Sequence, residues 1–279
     1  MTRLARAHNG QMSNSQPPIA LTIAGSEATG GAGCQADLKT FQARGVFGMV
    51  ALTCIVSFDP KNDWGHRFVA VDPQVIADQL EAEFAAYTPG AVKIGMLGTP
   101  VTIETVARVL GEHRPTNLVL DPVLICKGQE PGAALDTDNA LKEQILPLAT
   151  FVTPNHFESM ALSGMDSIDN VDDLIAAAKT IHEKSGAVVL AKGGVRLDGP
   201  DAVDVFYDGT TLEILSAPKI GEHAVSGAGC SLAAAVTAEL AKGASPLEAA
   251  KAAKAFVTKG IEQRVTSNAP FDALHQLNA

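Results

Sequence analysis

The sequence predicts an α/β protein of three layers, with helices covering both faces of a mostly parallel central sheet. Two observations carry this expectation. Short apolar runs of strand length recur along the chain, and segments with helical period lie between them. Strands that alternate with helices imply crossover connections, and such connections place helices on both faces of a parallel sheet. The 279 residues, 46% hydrophobic and 19% charged, supply ample apolar material for a core.

Residues 1–17 are polar, with Asn, Gln, Ser and Pro, and read as a flexible N-terminal extension; 18–279 read as a single domain. Strands are expected at 19–25, 48–56, 91–97, 117–123, 150–155 and 187–194, each an apolar run closed by Gly, Pro or a polar residue. DAVDVFYDG and TTLEILSAP flank Asp208-Gly209 and read as a β-hairpin. Helices are expected at 33–44, 73–87, 100–112, 136–147, 156–163, 171–185, 228–242, 246–262 and 269–276. In the second of these, Ile76, Leu80 and Phe84 fall four apart on one face.

A formal charge of −10 argues against nucleic acid or an anionic membrane surface as partner. No apolar run approaches the length of a membrane span and the N-terminus has no apolar signal region, so a cytoplasmic location is expected. Cys34, Cys54, Cys126 and Cys230 are widely spaced with no CxxC pair, and read as free thiols.

In open sheets of this type ligands bind beyond the carboxyl ends of the strands. The loop GSEATGGAGCQADLKTF (25–41) lies at such an end, yet has neither the GxGxxG spacing of a dinucleotide site nor a Walker A pattern. A plain strand-to-helix turn, with Asp37 and Lys39 on a solvated face, explains it equally well. In TPNHFES, Asn155 and Glu158 have capping-box spacing; alternatively they organise Mg²⁺ and its waters beside a phosphate. Lys192 and Gly193 of LAKGG end a strand, where an ammonium either approaches a phosphate or is simply solvated. HAVSGAGCSLAAAV (223–236) gathers small residues at the start of a helix, where converging amides and the helix dipole favour an anion; tight helix–sheet packing is the alternative.

Together, AGSEATGGAGCQADLKTF, VKIGMLG, LDPVLICKG, TPNHFESMALSG, AKGG and SGAGCSLAAAV resemble the ribokinase-like superfamily, from about residue 18 to 265. Within it the chain resembles the hydroxymethylpyrimidine (phosphate) kinase branch and its pyridoxal-kinase relatives. The resemblance implies a ribokinase-like fold with a small lid, ATP and Mg²⁺ as cofactors, a small heteroaromatic alcohol as substrate, and a homodimer with Ala-rich helices available for the interface. By the same resemblance Ser26 and Gly31 border the substrate, and Asn155 with Glu158 supports the Mg²⁺–phosphate network, Glu158 acting on the metal through water. Lys192 and Gly193 approach the nucleotide phosphates, Gly227, Ala228, Gly229 and Cys230 form an anion hole, and the segment from Ala255 to Gly260 borders the adenine.

The resemblance also separates two substrates. In DPVLICKGQE (121–130), Cys126-Lys127-Gly128 resembles the dual-cysteine pyridoxal kinases, whose lid cysteine adds to the pyridoxal aldehyde as a hemithioacetal while the second cysteine acts on the hydroxymethyl group. That implies catalytic roles for Cys126 and Cys230 and phosphorylation of pyridoxal. A hydroxymethylpyrimidine/phosphomethylpyrimidine kinase is the alternative, and a non-catalytic ligand-binding protein on the same fold is another. SFDPKNDWGH (57–66) points the same way more weakly. A helix N-terminus lowers a thiol's pKa, so Cys230 is expected to reach the thiolate near neutral pH and serve as base. Ala228 stands where the branch usually has threonine, which removes one hydroxyl donor to phosphate.

Overall fold

The computed structural model describes residues 16–124 and 131–276. One nine-stranded sheet runs through it in the order β3-β2-β1-β4-β5-β6-β7-β8-β9. Its centre is parallel: β2 (Phe47–Asp59), β1 (Ile19–Glu27), β4 (Ala91–Ile94), β5 (Leu118–Leu120), β6 (Phe151–Val152) and β7 (Val188–Lys192). The edges turn antiparallel, with β3 (Gly65–Ala70) beside β2, and β8 (Asp201–Tyr207) and β9 (Leu212–Pro218) beyond β7.

The central strands read as largely apolar runs because both faces are buried, with Thr22, Thr53 and Lys93 as buried polar exceptions. Leu21 and Ile23, Val92 and Ile94, and Leu118 and Leu120 point to one face. There they meet Ile76 and Leu80 of α2 (Pro73–Ala86), Ile103 and Val106 of α3 (Pro100–His113), Leu162 of α5 (His156–Ser163), and Leu174 and Ile181 of α6 (Val171–Ser185). Their neighbours Ala20, Ala91 and Val119 point the other way, under α1 (Gly33–Ala43), α7 (Ala228–Ala241) and α8 (Pro246–Glu262). Helices α2, α3 and α8 start alike: Asp72, Thr99 or Ser245 caps, and proline takes the first helical position, where no N–H is needed.

Every residue of α7 from Ser231 to Leu240 is buried. Its alanines let it lie close to the sheet, so α7 is core; of the Ala-rich helices in the sequence expectation, α8 keeps exposed residues. Three elements differ from the sequence expectation. The expected helix 136–147 is α4 (Pro131–Ala140), followed by one wide turn at Leu141–Ile145 and a tight turn at Leu146–Leu148 that contains Pro147. Strand β3 is additional; it pairs with β2 across a turn whose Asp59 side chain accepts the Lys61 amide at 3.0 Å and pairs with Arg67 at 2.6 Å. The expected helix 269–276 is extended chain. Ala273 exchanges backbone hydrogen bonds with Val265, and the Asp272 carbonyl and Leu274 amide bond to Ser226, so tertiary pairing takes the groups a helix would use.

Strands β5 and β6 are shorter than expected because Asp121-Pro122 and Thr153-Pro154 follow them, and proline has no N–H for a ladder. The chain leaves the sheet at these points and forms the rim described next.

Candidate active site

At the carboxyl edge of the sheet, α7 begins from Gly227, which has φ +77°. Only glycine is at ease there, and a Cβ would overlap the Gly31 carbonyl, so the two Gly-rich loops are in direct contact. Gly227 offers no capping side chain, leaving the first-turn amides and the helix dipole for an anion. Ala228 packs among apolar neighbours and bonds back to the Val225 carbonyl at 3.2 Å. A Cβ on Gly229 would stand 3.3 Å from Lys192 Nζ, so that ammonium lies at the same helix start.

Lys192 is not a solvated strand-end lysine. Its side chain is largely buried, and Nζ lies 3.3 Å from Asp121 Oδ1. Burial opposes its charge, but Asp121 and Glu158 together raise its pKa. The Asn155–Glu158 capping box is fully formed: the Glu158 amide donates to Asn155 Oδ1 at 3.0 Å and the Asn155 amide to Glu158 Oε2 at 2.7 Å. Glu158 is buried beside Asp121 and Lys192, and burial pushes its carboxyl up to about 8, with Lys192 opposing and Asp121 adding to the rise. Cap and charged site are therefore one object. Asp121, absent from the residues singled out by sequence, sits between Lys192 and the Thr153 hydroxyl, the latter at 3.4 Å.

The first loop is held by a residue that sequence reading also passed over. Glu27 accepts from the amides of Thr29, Gly31 and Ala32 and from the Thr29 hydroxyl, at 2.6 to 3.1 Å. Gln35 ties the loop to β1, donating to Ser26 Oγ at 2.6 Å and accepting the Glu27 amide at 2.9 Å. Ser26 and Gly31 thus flank one rigid turn, and Gly31 faces Ser226 and Ala273. Asp37 corrects the sequence expectation outright: it is fully buried and paired with Lys93, while Lys39 reaches back to the Gly30 carbonyl at 2.6 Å.

Cys230 sits in the first turn of α7, half-buried, with its thiol against the Gly33 amide at the start of α1. Two helix N-termini therefore converge on it. Burial nevertheless pushes this thiol up to about 11; Lys93 opposes the rise, and Asp121 and Asp37 add to it. At about 11 this thiol departs from the expectation of a thiolate near neutral pH, and desolvation is the largest cause. Cys34 and Cys54 are buried and likewise pushed up to about 11, as inert core thiols are. Cys126, with the rest of residues 125–130, lies outside the described residues.

A groove of about 630 Å³ opens between β9 and α8, lined by Ile214 to Ala217, Ala255, Thr258 and Lys259. It falls on the segment where the resemblance implies adenine. Lys254 at its wall pairs with Asp204 at 2.7 Å, and Asp204 is the β8 partner of Lys192, so the groove adjoins the charged cluster. Gly193 lies at the base of this contact; its amide bonds to the Val203 carbonyl, and a Cβ would press on Leu197.

The sequence model of the phosphomethylpyrimidine kinase family matches residues 27–274. The pyridoxine kinase of Bacillus subtilis is 48% identical over 253 residues, covering 89% of this chain and 92% of its own. Among solved structures, the pyridoxal kinase of Staphylococcus aureus in complex with AMP-PCP and pyridoxal superimposes with a TM-score of 0.86 at 38% identity, covering 94% of each chain. The phosphomethylpyrimidine kinase of Clostridium difficile superimposes with a TM-score of 0.75 at 35% identity, covering 87% of this chain and 99% of that one. The family match over residues 27–274, the 48% identity to a pyridoxine kinase and the fold shared with these enzymes make the chain a kinase acting on an alcohol group and a member of the phosphomethylpyrimidine kinase family.

Proposed function

We propose that residues 18–279 work as one kinase domain that transfers the γ-phosphoryl group of Mg-ATP to the hydroxymethyl oxygen of pyridoxal. The observation that carries this is the Lys192–Asp121–Glu158 cluster set against the uncapped start of α7, in a chain 48% identical to a pyridoxine kinase. Amides of Gly227, Gly229 and Cys230 stabilise charge on the transferring group, the Ala228 amide being taken by the Val225 carbonyl; Lys192 neutralises the charge from the side, and Cys230 accepts the hydroxymethyl proton. Ser26 and Gly31 position the ring, and the β9–α8 groove takes the adenine.

Mg²⁺ fits the residues present. Among the described residues the Asp121 carboxylate accepts at 3.3 Å from Lys192 and at 3.4 Å from Thr153, long contacts that leave lone pairs for a cation; Glu158 lies beside it. Among the described residues no cluster of three or more His, Cys, Asp or Glu could hold an ion alone, which suits an ion completed by phosphate oxygens and water. Bound there, it would neutralise charge on the β- and γ-phosphates.

Phosphorylation of a hydroxymethylpyrimidine is the second reading, supported by the family match and the 35% identity to the Clostridium difficile enzyme. Turnover with pyridoxal, pyridoxine and hydroxymethylpyrimidine separates them. Pyridoxal is expected to be the best acceptor, with Cys126→Ala losing far more on pyridoxal than on pyridoxine, which has no aldehyde. Efficient phosphorylation of the pyrimidine alone overturns the first reading.

Among the described residues no helix is long and apolar enough to cross a membrane, in keeping with a cytoplasmic site of action. A homodimer is part of the same reading. With α7 buried, the cross-strand pair Ile55 and Val69, both at least half exposed on β2–β3, is the apolar surface that supports it.

A further inference from the structure

Beneath the phosphate-binding residues lies a charge pair that none of them uses. Lys93 of β4 is fully buried, with Nζ 2.8 and 3.0 Å from the two Asp37 oxygens, and Asp37 also accepts the Thr22 hydroxyl at 2.7 Å. A pair desolvated this completely is a poor source of stability, since apolar residues of similar volume often serve as well. Its position suggests a different use. Thr22 and Lys93 are partners across β1–β4 and point to the α1–α7 face, as Ala20 and Ala91 do two residues earlier. Ala20 packs against Ala234 and Ala238 of α7. Because α7 runs back from the carboxyl edge of the sheet, one turn toward its start, about 6 Å, meets the strands two residues further on, about 6.6 Å. Four before Ala234 is Cys230; two after Ala20 is Thr22, with Lys93 beside it. The register thus sets the Cys230 thiol over the Thr22–Asp37–Lys93 group.

We propose that Lys93 is a positioning residue for phosphoryl transfer: its ammonium, fixed by Asp37, is the positive charge that makes Cys230 acidic enough to exchange the hydroxymethyl proton. The proposal rests on Cys230 as the base. The proton passes from the substrate oxygen to the Cys230 thiolate as that oxygen bonds to the γ-phosphorus and the bond to ADP breaks. The charged groups facing the thiol are Lys93 from β4, Asp37 from α1, Asp121 from the end of β5 and Lys192 from β7. Lys192 is occupied by Asp121 and Glu158, whereas Lys93 is the strongest influence opposing burial of the thiol.

The test uses the full chain and two variants, Lys93→Met and the charge-free double variant Lys93→Met/Asp37→Leu, which leaves no buried ion unpaired. Iodoacetamide labelling of Cys230, followed by peptide mass spectrometry from pH 7 to 10.5, reads the thiolate directly, and kcat against pH is measured alongside. Lys93→Met is expected to label roughly tenfold more slowly at pH 8, equivalent to a profile displaced about 1 pH toward alkali. The double variant moves the same way by less, and KM for ATP changes less than twofold in both. A folded double variant, verified by its melting transition, whose labelling profile superimposes on the wild type overturns the proposal. A displaced labelling profile with an unmoved kcat profile upholds the link between Lys93 and the thiol and overturns Cys230 as base.

Discussion

At the scale of single residues, the Cys230 thiol is under two opposing influences. The helix start draws a thiol toward the thiolate, but burial holds this one up to about 11, so the ligand-free chain carries a neutral thiol at pH 7. If the deprotonated form is the base, its fraction grows with pH throughout the range below 11. Wild-type kcat on pyridoxal is therefore expected to climb from pH 7 to 9. Cys230→Ala should lower turnover of every alcohol by about a hundredfold or more, and flatten that climb, while ATP binding by calorimetry stays near wild type. A variant with nearly normal turnover would make Cys230 a packing residue. Sequence alone located this cysteine because its glycines advertise a helix start. It misjudged the acidity because desolvation depends on what surrounds the thiol, and Lys93 and Asp37 come from distant elements.

At the scale of elements, α5 shows one pair of side chains serving two ends. Asn155 and Glu158 close a reciprocal cap, and the same Glu158 lies in the field of Lys192 and Asp121. Asn155→Ala removes the cap and should cost about 1 kcal/mol. Asn155→Ser restores a capping oxygen, so it is expected to recover the melting temperature but not kcat; recovery of both would reduce Asn155 to a cap. The cap was legible because its signal spans four residues. The parallel strands were legible too, since burial on both faces gives each a largely apolar run, as in Leu118 to Leu120. Strand β3, with His66 and Arg67 in an edge sequence, lacked that signal, and the chain around Ala273 is shaped by Val265 and Ser226 rather than by its own periodicity. The burial of Asp37 is not legible in the sequence, because helical spacing says nothing of a lysine 56 positions away.

At the scale of the whole molecule, the sheet gathers Asp121 and Glu158 at one edge, yet one acidic group that bears on stability lies outside that edge. Glu83 belongs to α2, which packs on the opposite face from α7, and its Oε2 is buried with no hydrogen-bond partner among the described residues. Burial pushes its carboxyl from 4.5 up to about 7. The folded state therefore holds the proton more tightly than the unfolded chain does. The corresponding stability is fully present below about pH 4.5 and is lost as pH rises through 7. Glu83→Gln, neutral at every pH, escapes that loss. Its advantage over the wild type should be absent at pH 4.5 and complete by pH 8, where partial solvent screening limits it to about 1 kcal/mol, or about 2–4 °C in melting temperature. Thermal unfolding of both proteins across pH 4.5 to 8 measures this directly. A gain that is the same at both ends of the range would place the effect in packing rather than in the proton, and a loss at pH 8 would mean that the buried oxygen does have a partner that glutamine cannot satisfy.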